Sequence, residues 1–106
     1  MTALEGIIKK AKENDVNVLG VIFPQSPAFK ETGAFGRYGL RRSTAKKLIE
    51  KFEKLDEAYP NFKFMDENKM GDHDYPDGYA ADTDHLCFLG ATIMTRRVNA
   101  VLKTFE

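Results

Sequence analysis

The feature that most restricts the fold of this chain is a short apolar run, VNVLGVIF (residues 16–23), which ends at Pro24. A run of this length, rich in β-branched residues and apolar on both faces, predicts a buried, central strand of a parallel sheet. The segment FKFM (residues 62–65) predicts a second, shorter strand that leads to Asp66. The class of fold then depends on what connects the two strands.

An amphipathic helix is predicted between them. From Ser43, which we expect to cap the helix, apolar residues recur at helical spacing, and the pattern ends near Tyr59 and Pro60. Strand, helix and strand in that order predict a right-handed parallel crossover. Helical patterns at residues 4–11 and from Leu86 or Leu89 onward complete the order α-β-α-β-α. We therefore predict an α/β fold, a small parallel sheet with flanking helices.

Length and composition narrow the class of protein. A chain of 106 residues is long enough for one modest core, so we treat residues 1–106 as one domain. Its 16 basic and 16 acidic residues balance, which argues against nucleic acid or an anionic membrane surface as partner. We expect no membrane span and no signal peptide in this chain. The single cysteine, Cys87, excludes an internal disulfide, leaves the compartment open and is expected in the core.

Two long loops follow the predicted strands. The first, residues 24–42, contains two prolines and three glycines, and is either a functional loop or a connector whose aromatic residues pack over the core. Arg37 and Tyr38 are its candidates for binding an anion or a sugar. The second, residues 66–85, is acidic and ends at His85. Because loops at the C-terminal ends of parallel strands converge on one edge, we expect His85 to face the first loop across a cleft.

His85 has three interpretations: a catalytic base, a metal ligand, or a polar residue that starts a helix. Asp82, three residues earlier, could fix the imidazole tautomer and stabilise the imidazolium that forms when the ring takes a proton from a hydroxyl nucleophile. The loop also offers several metal ligands, although their spacing does not follow a calcium loop and a solvated acidic loop is commoner. We predict no metal and no other cofactor. The potential ligands are Asp72, His73, Asp74, Asp77, Asp82, Asp84 and His85.

The block DTDHLCFLGA (residues 82–91) resembles a known family. An Asp-x-x-His pair, an apolar residue, a glycine and a terminal helix resemble the C-terminal half of SGNH, or GDSL-type, hydrolases, whose fold is flavodoxin-like. VNVLGVIFPQSP is similar to a late core strand of that family, and FKFMDENK to its last strand, so the resemblance spans roughly residues 16 to 105. It implies that His85 is the general base of a serine esterase and that Asp82 orients it.

Other motifs of that family are absent from the chain. Neither the Gly-Asp-Ser turn of the nucleophile nor the Gly-x-Asn-Asp block occurs, and neither Ser26 nor Ser43 stands in such a turn. The resemblance therefore implies that residues 1–106 are the C-terminal portion of a larger, secreted or cell-envelope hydrolase domain and are inactive alone. Its substrate would be an acyl ester, such as an acetylated carbohydrate.

A second hypothesis is a non-catalytic module derived from that fold, which binds carbohydrate or protein. The aromatic residues of the first loop would make the contacts, and Tyr75 and Tyr79 could stack on a sugar ring, with simple loop packing as the default interpretation. A sheet of two strands would also leave an exposed edge through which the chain could self-associate.

Overall fold

A computed structural model describes residues 2–36, 40–82 and 85–105, without the side chain of Thr2. Three helices, α1 (Thr2–Glu13), α2 (Arg42–Ala58) and α3 (Phe88–Leu102), accompany two strands, β1 (Val18–Ile22) and β2 (Phe62–Asp66). Short 3-10 turns lie in the loops at Pro27–Glu31, Lys69–Gly71 and Asp77–Tyr79. The predicted α/β class is confirmed.

The two strands run parallel and are connected through α2. Val18 lies opposite Phe62, and Ile22 lies opposite Asp66. This register brings the C-terminal ends of both strands to one edge of the sheet, from which both long loops start. The helical crossover is what parallel pairing requires, since a tight hairpin can join only antiparallel strands.

In the part of the chain that the structure describes, β1 is an edge strand, so the prediction of a buried central strand is wrong there. Among the described residues β1 pairs with β2 alone, and each of its residues is only partly buried. Val18 N–H donates to the carbonyl of Asn61 at 2.8 Å. Because parallel pairing alternates along a strand, Leu19 and Val21 turn their backbone groups away from β2. An apolar run indicates which faces are covered, and it carries no information on how many strands lie alongside.

The outer edge of β2 is closed by its neighbours. Phe64 N–H donates to the Asp56 carboxylate of α2 at 2.8 Å, and Phe62 N–H donates to the carbonyl of Tyr59 at 3.1 Å. Leu19 and Val21, at the outer edge of β1, make no such backbone hydrogen bond among the described residues. An apolar groove of about 300 Å³ lies over the sheet and is lined by β1, Phe52, Phe62, Phe64 and Leu4. The two edges of the sheet therefore differ, and self-association through β1 stays a prediction.

One core cluster lies on the face of the sheet that carries Phe62. Ile8, Leu55 and Phe62 are buried against one another. The absence of a side chain at Gly20 lets the Phe62 ring approach, because a Cβ there would lie 3.3 Å from that ring. Burial of apolar surface at this junction of α1, α2 and β2 contributes favourable free energy to the fold.

Two local predictions are wrong. α2 begins at Arg42 with Arg41 at the N-cap, so Ser43 lies inside the first turn and caps nothing. Cys87 is only partly buried, at the N-cap of α3 and not in the core.

Among the described residues, none of the helices is long and apolar enough to cross a membrane, in agreement with the expectation of no span.

Candidate functional site

A cavity of about 330 Å³ lies where both strands end. β1 leads into its first wall, formed by residues 24–27. The second wall belongs to the acidic loop after β2. His85 therefore lines the same cavity as the first loop, as expected for loops that leave the C-terminal ends of parallel strands. The described residues of the second wall are His73, Tyr75, Pro76, Asp77, Ala80, Asp82, His85 and Leu86.

His85 and Asp82 form a hydrogen-bonded pair in the second wall. Nδ1 of His85 lies 2.8 and 3.0 Å from the two carboxylate oxygens of Asp82. Because an ionised carboxylate can only accept, Nδ1 carries the proton and Nε2, on the far side of the ring, is the basic nitrogen of the neutral imidazole. Both side chains are exposed, at 63% for His85 and 51% for Asp82. This arrangement can accept a proton at Nε2 while Asp82 stabilises the charged ring.

The backbone around the pair holds it in place. Ala80 and Leu86 form an antiparallel bridge, and Ala81 N–H donates to the carbonyl of His85 at 2.8 Å. These contacts close a short loop that brings Asp82 back toward His85. The three-residue spacing alone would not do this, since many backbone conformations separate two such side chains.

Gly90 has a structural reason to be glycine. Cys87 N–H donates to the carbonyl of Tyr79 at 2.8 Å, so the start of α3 docks on this carbonyl. A Cβ at position 90 would lie 2.6 Å from the same oxygen. The glycine therefore lets α3 pack against the base of the loop that carries Asp82 and His85.

His73, which the sequence presented only as a possible metal ligand, ties the two walls together. Its Nδ1 accepts from the backbone N–H of Tyr75 at 3.2 Å, and its Nε2 lies 2.7 Å from the carbonyl of Gln25. Since Nδ1 must accept, the proton sits on Nε2 and is donated to Gln25. Both nitrogens are thus used by the backbone, so His73 has a structural role in this cavity.

A polar network behind the second wall anchors it to α3. The Tyr75 hydroxyl donates to Glu67 at 2.9 Å, and Arg97 makes two bonds to Asp74 at 2.9 and 2.8 Å. Arg97 also reaches Glu67 at 3.3 Å and lies over the Tyr75 ring, 4.8 Å from its centroid. Tyr75 is only 5% exposed, so the suggestion that it stacks on a sugar is wrong.

This network shifts the pKa values of its members. Burial, reinforced by the hydrogen bond to Glu67, raises the pKa of Tyr75 to about 12. The hydrogen bonds from Arg97 lower the pKa of the Asp74 carboxyl. Sequence reasoning missed the network because its members lie on different elements. Its only visible signals were a glutamate directly after β2 and an arginine within the pattern of α3.

Several predicted site residues cannot be placed in this cavity. Arg37 and Tyr38, the candidates for substrate binding, lie outside the described residues, as does Asp84. Within residues 2–36, 40–82 and 85–105, no group of three or more His, Cys, Asp or Glu side chains could hold a metal ion. The described lining of the cavity offers an imidazole, carboxylates and the hydrogen-bonding groups around them.

Comparisons of the chain with family models, with curated proteins and with solved structures give no match. The function must therefore be inferred from the chemistry of the cavity. An imidazole oriented by a carboxylate is suited to general-base catalysis on a hydroxyl group or a water molecule.

Proposed function

We propose that this chain supplies the Asp82–His85 base pair of an SGNH-like ester hydrolase or acyl transferase. The observation that carries the proposal is the contact of His85 Nδ1 with both oxygens of Asp82 at the rim of a cavity where two parallel strands end. In this role Nε2 takes the proton of a serine hydroxyl and later returns a proton to the leaving alcohol, while Asp82 holds the ring and stabilises its charge.

The serine of this proposal belongs to a segment outside residues 1–106. Within the chain, Ser26 caps a 3-10 turn and Ser43 lies in the first turn of α2, so neither occupies the sharp strand-to-helix turn of a nucleophile. Two observations support a further segment that packs here. The outer edge of β1 has no neighbouring strand among the described residues, and the Asp82–His85 pair is half exposed or more. The substrate is an acyl ester, and neither a metal nor a cofactor is required.

Hydrolysis of p-nitrophenyl acetate by the native polypeptide that contains residues 1–106 tests the proposal. Replacing His85 by Ala should lower kcat about 1,000-fold or more, because no other group takes the serine proton. Asp82→Asn should lower kcat about 100-fold or more, because an amide favours the wrong tautomer. Asp77→Asn is the matched control, since Asp77 is an exposed carboxylate of the same wall whose side chain makes no hydrogen bond among the described residues. Its kcat should stay within about twofold of wild type.

Wild-type turnover by either His85→Ala or Asp82→Asn would reject both assignments. An equal loss in Asp77→Asn would show a general dependence on cavity charge and not on the pair. Absence of ester hydrolysis by the native polypeptide would leave the second hypothesis, a module that binds carbohydrate or protein. Such a module would have to use residues other than Tyr75, because that ring is covered by Arg97.

A further inference from the structure

The two walls of the cavity differ in their hydrogen-bonding character. The second wall offers a base and acceptors, His85, Asp82 and Asp77. The first wall contains a hydroxyl group, that of Ser26. The Ser26 oxygen accepts from Ala28 N–H at 3.3 Å, and its own hydrogen has no acceptor among the described residues. Ser26 therefore has a hydrogen to donate and lies beside the space in which a substrate would bind.

The position of Ser26 is held by its neighbour. Gln25 is bonded on both sides of its backbone, since its N–H donates to Asn68 Oδ1 at 2.7 Å and its carbonyl accepts from His73 Nε2 at 2.7 Å. Asn68 is fully buried and its own N–H donates to Asp66 Oδ1 at 3.0 Å. These bonds join residues 43 and 48 positions apart in the chain. These two bonds fix the backbone of Gln25 and so limit where the next residue, Ser26, can lie.

We propose that Ser26 donates a hydrogen bond to the carbonyl oxygen of the acyl group bound in this cavity. This inference rests on the proposed function. When the nucleophilic oxygen bonds to the carbonyl carbon, the π electrons move to the carbonyl oxygen and the nucleophile's proton passes to His85 Nε2. Ser26 keeps its own proton throughout. A donor already in position stabilises the developing oxyanion more than water does, because it does not have to reorient.

The lining of the cavity also indicates the kind of acyl group. Pro24, Pro27, Pro76 and Leu86 provide apolar surface, while Asp77 contributes negative charge. The described lining residues include no lysine or arginine. An uncharged acyl group fits this environment, and an anionic one would be repelled and left without a cation. Esters of acetate are therefore suitable probes.

Kinetics of p-nitrophenyl acetate hydrolysis by the native polypeptide test the inference. Ser26→Ala should lower kcat about 10- to 100-fold and change KM less than about threefold, because the bond strengthens in the transition state. Ser26→Thr, which keeps the hydroxyl, should restore most of the rate. Ser43→Ala is the control, an exposed serine on α2, and should behave as wild type. The pH profile should not change, since the base is His85.

Three outcomes would overturn the inference. If Ser26→Ala keeps its kcat within about twofold while His85→Ala is inactive, the role of Ser26 is wrong and the proposed function stands. If Ser26→Ala is as inactive as His85→Ala, Ser26 is the nucleophile and not an oxyanion donor. If Ser26→Ala and Ser26→Thr lose the same fraction of activity, the loss does not come from the missing hydroxyl group.

A binding measurement tests the role of Ser26 even if the polypeptide hydrolyses no ester. The probe is 2-pentanone, an uncharged carbonyl compound that cannot be hydrolysed, titrated into the ¹⁵N-labelled native polypeptide that contains residues 1–106. We expect saturable shifts of the amide resonances of Gln25 and Ser26, and a Kd that is about 2- to 3-fold higher for Ser26→Ala. A folded wild-type chain without such shifts, or with an unchanged Kd in the variant, would contradict the inference.

Discussion

The two histidines of the cavity differ in what holds them. His73 has both ring nitrogens on backbone groups, the N–H of Tyr75 and the carbonyl of Gln25, whereas His85 has Nδ1 on the carboxylate of Asp82. A backbone N–H forces Nδ1 to accept, and a carboxylate forces it to donate. The same side chain is therefore part of the scaffold at one position and oriented as a base at the other.

The surroundings of the two histidines differ in the same way. Behind His73, Tyr75 is buried and is linked to Glu67 and Arg97. His85, in contrast, is exposed and lies on a loop that is closed by a few backbone bonds. We therefore expect substitutions around His73 to lower the free energy of unfolding, and substitutions at His85 to affect chemistry.

The largest effect on stability should come from Arg97→Ala. It removes the cation from Glu67, whose side chain is only 10% exposed, and from Asp74. A loss of about 3 kcal/mol in the free energy of unfolding is expected, because the nearly buried Glu67 carboxylate loses its cation and keeps only the hydrogen bond from Tyr75. Urea unfolding measures this loss. Arg96→Ala is the control, an exposed neighbour that should change stability by less than about 0.5 kcal/mol. Equal losses of unfolding free energy in Arg97→Ala and Arg96→Ala would contradict the anchoring role of the network.

A smaller loss is expected from Gly90→Ala. The new Cβ would lie 2.6 Å from the Tyr79 carbonyl oxygen, so the start of α3 must move. Crowding of this kind costs about 2 kcal/mol. Gly6→Ala is the opposite case, because position 6 lies in α1 with nothing within 4 Å of a Cβ. It should stabilise the chain by about 0.5–1 kcal/mol, and thermal unfolding of both variants would show the opposite signs.

Exchanging either histidine for alanine tests the comparison directly. His73→Ala should cost about 1–2 kcal/mol, because the Tyr75 N–H and the Gln25 carbonyl lose their partner. His85→Ala should cost less than about 0.5 kcal/mol, since its ring is exposed. Long-range ¹H–¹⁵N NMR spectra of wild type should show the Nε2–H tautomer for His73 and the Nδ1–H tautomer for His85. The same tautomer for both rings would contradict the different roles inferred for His73 and His85.

The smallest effect is the pH dependence contributed by Tyr75. Its pKa is raised from 10.0 to about 12 in the folded chain, so the folded state holds the phenolic proton more tightly than the unfolded state. The resulting stability is fully present below pH 10 and is lost as the pH rises through about 12. Tyr75→Phe removes the titrating hydroxyl and its hydrogen bond to Glu67. At neutral pH the variant should have a free energy of unfolding about 1 kcal/mol lower than wild type. The difference in unfolding free energy between the two proteins should shrink between pH 10 and 12, and a constant difference would contradict the assignment.

The sequence by itself determined the elements and where their ends meet. The run at residues 16–23 and the pattern after Ser43 predicted strand and helix correctly, since hydrophobic periodicity is a local property. From the order of these elements followed a parallel pair, and with it the edge at which His85 and the first loop share a cavity. The Asp-x-x-His spacing likewise pointed to a pair that the structure holds within hydrogen-bonding distance.

Only the tertiary structure decided which groups surround that pair. Left-handed backbone at Lys69 and Met70, with φ of 51° and 57°, redirects the chain after β2, and neither residue type signals such a turn. The roles of His73 and Arg97 depend on partners brought together from distant parts of the chain. A residue's neighbours in sequence set its local conformation, but its hydrogen-bond partners depend on how loops and helices pack. For this reason the edge position of β1 among the described residues and the bonds that hold Gln25 beside Ser26 became visible only in three dimensions.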